Sequence, residues 1–263
     1  MKTFCISLPS TLVVLTACLL APLAQAQFAA STGFDYTTGD YGLSTKTTIS
    51  TYNLTGEYAD QGWTAKIVAP YEHITSPVGV IVIGGHPKLQ RRLNAKNEGK
   101  TQTESGLGDI ETSLSYNVCH DLNTDWNAVV TGSVKLPTAD DEKGLGSGKI
   151  DYGLALDLSR AIGRFTPALG LGYRIVGNPD GADLRNYCYA SLGTGYWMTD
   201  ATNLNLTFEC DQRSSASSNV DNELSLGLNH HLAKAWDLEA HILAGLSTAA
   251  PNFGLGASVR YTF

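Results

Sequence analysis

Residues 236–247 read WDLEAHILAGLS. Trp236, Leu238, Ala240, Ile242, Ala244 and Leu246 fall at every second position, while Asp237, Glu239, His241, Gly245 and Ser247 fill the alternate ones, with Leu243 as the exception. A period of two places successive side chains on opposite faces of an extended strand, so this stretch has one apolar and one polar face. The alternation recurs in NLNLTFECD (203–211), DYGLALDLS (151–159), PALGLGYRI (167–175) and, at the end of the sequence, FGLGASVRYTF (253–263). In the last, Phe253, Leu255, Ala257, Val259, Tyr261 and Phe263 oppose Gly254, Gly256, Ser258, Arg260 and Thr262.

Extending this reading along the chain predicts strands near 28–37, 47–59, 63–74, 106–119, 126–137, 150–161, 165–176, 186–198, 202–212, 221–232, 236–247 and 252–263. Most run to about ten to twelve residues, the length of a tilted strand that crosses a bilayer, whereas sandwich strands are shorter at about five or six. The connections alternate between short turns, such as DQG (60–62) and AK (233–234), and longer loops, such as TADDEKGLGSG (138–148) and GNPDGADLR (177–185). Short turns at one end and longer loops at the other are the layout of an outer-membrane barrel. The predicted fold is an all-β, antiparallel up-and-down transmembrane barrel of about twelve strands, with ten or fourteen as the alternatives.

The placement of aromatic and charged residues agrees. Trp63, Trp126 and Trp236 open strands after short turns, and Tyr58, Tyr116 and Tyr196 close strands before them, as an inner interfacial girdle requires. Tyr36, Tyr71 and Tyr173 would form a thinner outer belt. If the apolar face meets lipid, the opposite face carries Glu57, Lys66, Glu72, Asp109, Glu111, Lys135, Asp157, Arg174, Glu209, Glu223, Glu239, His241 and Arg260 as lumen-lining candidates. Asp35, Asp151, Asp211 and Asp237 share that phase. A dry sandwich core could not hold so many charges; a wet or salt-bridged lumen can. A symmetric turn about Ala249–Ala250 sets Glu239 opposite Arg260, where opposite charges attract across strands.

The first 26 residues read as a secretory signal: Lys2, an apolar run from Leu12 to about Leu20 too short to span a membrane, and Ala24-Gln25-Ala26 before the expected cleavage. Leu15-Thr16-Ala17-Cys18 also fits a lipoprotein box, but the residues after Cys18 continue the apolar run. The domain organisation is then a cleaved segment, 1–26, and one barrel domain, 27–263, exported to the outer membrane. The whole chain has a net charge of −7, and the signal removes one lysine and no acid. So acidic a chain is a poor ligand for nucleic acid. Of five cysteines, Cys119, Cys188 and Cys210 remain, an odd number without metal-ligand spacing. A turn centred on Thr199 would set Cys188 opposite Cys210, and an oxidising periplasm would permit a disulfide.

At this point GWTAKIVAPYEHI (62–74), SGLGDIETSLSYNV (105–118), VKLPTADDEKGLGSGKIDYGLALDLSR (134–160) and GRFTPALGLGYRIVGNP (163–179) resemble a bacterial family of outer-membrane transporters labelled with the meta-pathway of phenol degradation. The resemblance runs from about Phe28 to Phe263, and residues 134–160 carry its most specific part. It implies a small outer-membrane barrel that passes small solutes, aromatic or apolar ones among them. It carries over no binding residues.

Motifs for covalent chemistry are thin. GLGSGKIDYG (144–153) opens a strand rather than a helix, so it lacks the helix N-terminus of a phosphate loop. His230 and His231 point to opposite faces of a strand and cannot chelate one ion together. No cofactor or metal is expected. A lipid hydrolase would need Ser, His and an orienting group; Ser50 with His73 is the best pair, and no third member is evident. The loop 76–104 gathers Lys88, Arg91, Arg92, Lys96 and Lys100. It would lie against lipopolysaccharide phosphates or fold into the acidic lumen as a constriction. Tyr261 and the terminal Phe263 resemble the signal read by the outer-membrane assembly machinery. The expected function is a passive channel for small solutes and not an enzyme, the alternatives being a membrane-embedded lipid hydrolase or a closed structural barrel.

Overall fold

The computed structural model describes residues 27–41, 45–78, 80–83, 86–89, 100–120, 122, 124–179, 184–212 and 220–263; the expected signal segment lies outside them. The strands are β1 (Gln27–Gly39), β2 (Thr47–Asp60), β3 (Trp63–Pro77), β4 (Val80–Ile83), β5 (His86–Leu89), β6 (Thr101–Leu107), β7 (Ile110–Asn117), β8 (Trp126–Leu136), β9 (Asp151–Arg160), β10 (Phe165–Ile175), β11 (Tyr187–Trp197), β12 (Thr202–Asp211), β13 (Asp221–Ala233), β14 (Trp236–Gly245) and β15 (Phe253–Thr262). Each wall strand pairs antiparallel with its neighbours in sequence, and β15 returns to pair with β1 from Ala29↔Thr262 to Thr38↔Phe253. The sheet is therefore closed, and β6 and β7 are two pieces of a single wall strand facing different parts of β3. That gives the twelve-stranded up-and-down barrel read from the alternation. The hairpin β4–β5 is a separate two-stranded sheet in the connection between β3 and β6.

Local chemistry explains the joints. The β2–β3 turn has two central residues, Gln61 and Gly62, at φ 44° and 82°, the left-handed pair that a tight hairpin turn demands. Between β6 and β7 the pairing steps from Tyr71↔Leu107 to Val68↔Glu111, so two residues of β3 face three of the neighbouring strand. This is a bulge. The Gly108 N–H still donates to the Pro70 carbonyl at 2.8 Å.

The wall is apolar outside. Leu54, Leu154 and Leu192 are 64%, 61% and 63% exposed, which suits hydrocarbon contact and not water. Cross-strand aromatic pairs gather at the short-turn end: Trp63 with Tyr116 at 4.6 Å between ring centres, Trp236 with Tyr261 at 4.8 Å, Phe165 with Tyr196 and Phe28 with Tyr58 at 4.9 Å. Such pairs contribute about 0.5–1.5 kcal/mol beyond their burial. The Arg160 guanidinium lies over Trp126 at 5.3 Å. Phe263 meets Tyr261 edge-on at 4.9 Å, and its N–H donates to the Phe28 carbonyl at 2.9 Å.

Two registers differ from expectation. Arg260 lies opposite Asp237, and Glu239 lies opposite Ser258, because the β14–β15 turn centres between Thr248 and Ala249, one residue earlier than a symmetric turn about Ala249–Ala250. The β11–β12 turn likewise centres on Asp200, where the Met198 N–H donates to the Thr202 carbonyl at 3.0 Å. Cys210 therefore faces Ala190, and Cys188 faces Gln212; these two thiols and that of Cys119 are free. The expected disulfide is absent because its partners are one pleat out of step.

Inside, the wall is packed at one side by Tyr189, whose ring leans over Gly172 and clusters with Ala155, Val176, Leu184 and Tyr187. A Cβ at position 172 would fall within that ring. Gly172→Ala is expected to cost about 1–3 kcal/mol through overpacking. The readout is a lower unfolding midpoint of the heat-modifiable barrel in detergent micelles.

Candidate functional site

The lumen-facing positions form transverse rows, because residues paired across neighbouring strands lie at one level. One row runs Glu57, Lys66, Ser113, Ser133, Gly153, Arg174 and Tyr187. Another runs Glu111, Lys135 and Asp151. Opposite charges meet within and between them. Arg260 donates to Glu57 at 2.7 Å, reaching across β1, where Ala29 leaves room between β15 and β2. One Arg174 nitrogen donates to both Glu111 oxygens, at 3.2 and 3.3 Å. Lys135 lies 2.7 Å from Asp109 and 3.2 Å from Asp151, and donates to Ser147 Oγ at 3.0 Å. Two of these contacts are hydrogen bonds and the third is an ion pair, made by a side chain that is only 4% exposed.

The remaining lumen candidates fall where their phase puts them. Glu239 accepts from Ser258 Oγ at 3.3 Å, and His241 Nε2 lies 3.4 Å from Asp35, which also accepts from Asn53 Nδ2 at 2.8 Å. Glu72 is buried with one carboxylate oxygen unbonded. Asp157 is buried on the row that continues through Gly170 and Ser191 to Glu209 and Glu223. On β12 and β13, Glu209 lies directly opposite Glu223 and Asp211 directly opposite Asp221. This stretch of wall therefore gathers four carboxyl groups in two direct cross-strand pairs.

Several features were missed in sequence. Asp221 belongs to the acidic wall, and its phase would have found it. Asn203 and Asn205 are buried lumen amides on β12. The apolar residues Ile49, Ile74 and Leu243 occupy lumen-facing phases and are 3–4% exposed. Their signal was legible as apolar residues out of phase, noticed for Leu243 alone. Among the described residues, parts of the outer loops are buried over that end of the lumen. Leu145, from the loop 137–150, packs on Ile49 and Ile74. Tyr41 lies buried beside the acidic wall and donates to Thr37 Oγ1 at 3.1 Å; burial first, then Glu223 and Asp221, push its phenol above the ordinary value. Ala249 and Ala250 are buried in the β14–β15 loop.

Of the basic loop, Lys88 lies on β5, Lys100 is exposed with its carbonyl accepting from the Val78 N–H at 3.0 Å, and Arg91, Arg92 and Lys96 lie outside the described residues. Ser50 is directly opposite His73 on the outer face, yet the imidazole Nδ1 bonds Ser105 Oγ at 2.6 Å. Among the described residues no carboxylate or carboxamide orients that ring. His230 bonds Thr202 at 2.9 Å, and His231 bonds Asp237, on opposite faces of β13.

A family model described as "Putative MetA-pathway of phenol degradation" matches residues 29–263. The structure is similar to that of the COG4313 outer membrane channel from Pseudomonas putida F1, with a TM-score of 0.70 and 14% identity over 93% of this chain and 97% of that one. It is also similar to the NanC porin, at 0.54 and 12% identity over 88% and 98%, and to the KdgM porin in complex with disordered oligogalacturonate, at 0.53 and 11% over 89% and 99%. No curated protein matches in sequence. The fold is that of outer-membrane barrels, which supports an outer-membrane location.

The triple contact of Lys135 makes a test. Lys135→Met strands two buried carboxylates and is expected to cost about 3–5 kcal/mol, with part of that loss recovered in Lys135→Met/Asp109→Asn. Urea unfolding of the refolded barrel in micelles reads both.

Proposed function

The chain belongs to the MetA-pathway phenol-degradation family, and on that premise we propose that it is an outer-membrane channel for passive passage of small solutes, aromatic ones among them. The carrying observation is the inversion of polarity across the wall, with leucines and aromatics outside and transverse rows of ionisable residues inside. Charges are stable there only where water or counter-charge reaches them, and a hydrated lumen supplies the water. The wall does no covalent chemistry in this reading; it selects by diameter, lining charge and loop position.

The lining gives the direction of that selection. Among the described residues, lumen-facing acids outnumber the bases Lys66, Lys135, Arg174 and Arg260, and the pairs Glu209–Glu223 and Asp211–Asp221 gather carboxyl groups on one wall. Cations and neutral solutes would pass this wall more readily than anions. An acidic oligosaccharide such as the one named with the KdgM porin would be repelled.

Liposome swelling with small neutral solutes tests passage itself; vesicles holding the barrel that swell no faster than empty ones would end this reading. In a planar bilayer under a KCl gradient, the reversal potential is expected on the cation-selective side. Glu209→Gln/Glu223→Gln is expected to move it toward zero. Anion preference in the parent protein would reverse the electrostatic part of the reading.

A further inference from the structure

The loop 137–150 leaves β8 and enters β9, yet its Leu145 contacts strands two and three places round the wall from β8. Leu145 is 2% exposed, packed on Ile49 of β2 and Ile74 of β3, which lie directly opposite each other on the lumen face. Its Cδ1 sits 2.8 Å from where a Cβ would project from Gly106 of β6, so the absence of a side chain there admits the contact. The loop thus reaches inward past β7 and β6 at the outer mouth, and it is pinned at both flanks by one ionic knot. Before Leu145, the Ala139 N–H donates to Asp109 at 3.1 Å, and Thr138 Oγ1 donates to the Gly108 carbonyl at 2.9 Å. After it, Ser147 Oγ accepts from Lys135, whose ammonium also holds Asp109. The turn is closed by the Leu145 N–H to the Asp140 carbonyl at 3.2 Å, with Gly144 and Gly148 at left-handed φ of 75° and 64°.

The sheet closes through β1 and β15, and this loop serves the wall backbone only through Thr138, so a leucine seated inside a charged lumen is not needed for closure. An apolar contact across a wet passage expels water locally and raises the barrier to hydrated ions and polar solutes far more than to an apolar ring. We propose that the contact of Leu145 with Ile49 and Ile74 is the selectivity constriction of the outer mouth, and that Asp109 and Lys135 are positioning residues that hold it shut. This rests on the channel reading and adds to it where the solute is sorted and by what.

The test compares the parent with Leu145→Ala, Leu145→Phe, Asp109→Asn and, as a control on the exposed side of the same loop, Glu142→Gln. Each is measured by single-channel conductance in KCl and by liposome swelling with neutral sugars of rising size. Leu145→Ala is expected to raise conductance by about twofold or more and to admit larger sugars, with Asp109→Asn following it. Leu145→Phe, which fills the gap further, is expected to lower conductance, and Glu142→Gln to match the parent. A parent that barely conducts beside a conducting Leu145→Ala would also support the constriction. A conducting parent whose Leu145 variants conduct and sieve as it does would overturn it. Silence in the parent and every variant would remove the channel reading itself, and the constriction with it.

Discussion

A backbone amide in hydrocarbon has no water to bond, and everything else in this structure depends on that constraint. It forces the sheet to close, with β1 paired to both β2 and β15. Closure then divides every strand into an outward and an inward half. The outward half can be leucine and aromatic without penalty because its neighbour is lipid. The inward half is free to be charged because its neighbours are water and counter-charges. The sharp alternation in residues 236–247 is the trace this division leaves in the chain.

Charge in the lumen is organised by level. Pairing across strands puts Glu57 beside Lys66, and Lys135 between Glu111 and Asp151, so part of the acid excess is neutralised in place. At Glu209–Glu223 and Asp211–Asp221 the same geometry sets like against like. Four carboxyl groups thus share one stretch of the wall, which is why the proposed selectivity is tested there.

The faces of the wall were legible in sequence, and the strand limits nearly so, because alternation reports which side a residue faces. It does not report how far one strand has slid along the next. Both misplaced pairs, Glu239 with Arg260 and Cys188 with Cys210, are wrong by two residues in register and right in face, since a slip of two preserves every side chain's direction. The mouth was less legible for another reason. Leu145 lies in a glycine-rich stretch with no period, and its partners are supplied by strands remote in sequence. Only Ile49 and Ile74, apolar residues in a polar phase, advertised that something dry must sit above them. The His73 contact shows the same limit: its pairing with Ser50 followed from turn length, but the hydrogen bond to Ser105 needed the third strand.

The bulge between β6 and β7 has a further meaning. Within a strand, a residue's amide and carbonyl point to the same side, and the carbonyl of Pro70 points at Gly108. The nitrogen of Pro70 therefore points there too, and it carries no hydrogen. The wall strand breaks at the one kind of residue that has no donor to strand in the membrane. An imino acid on β3 thus licenses the neighbouring backbone to step out of line, and the step is what frees Asp109 to reach the loop. The geometry of the outer mouth is in this sense written one strand away, in an atom that is missing by covalent structure.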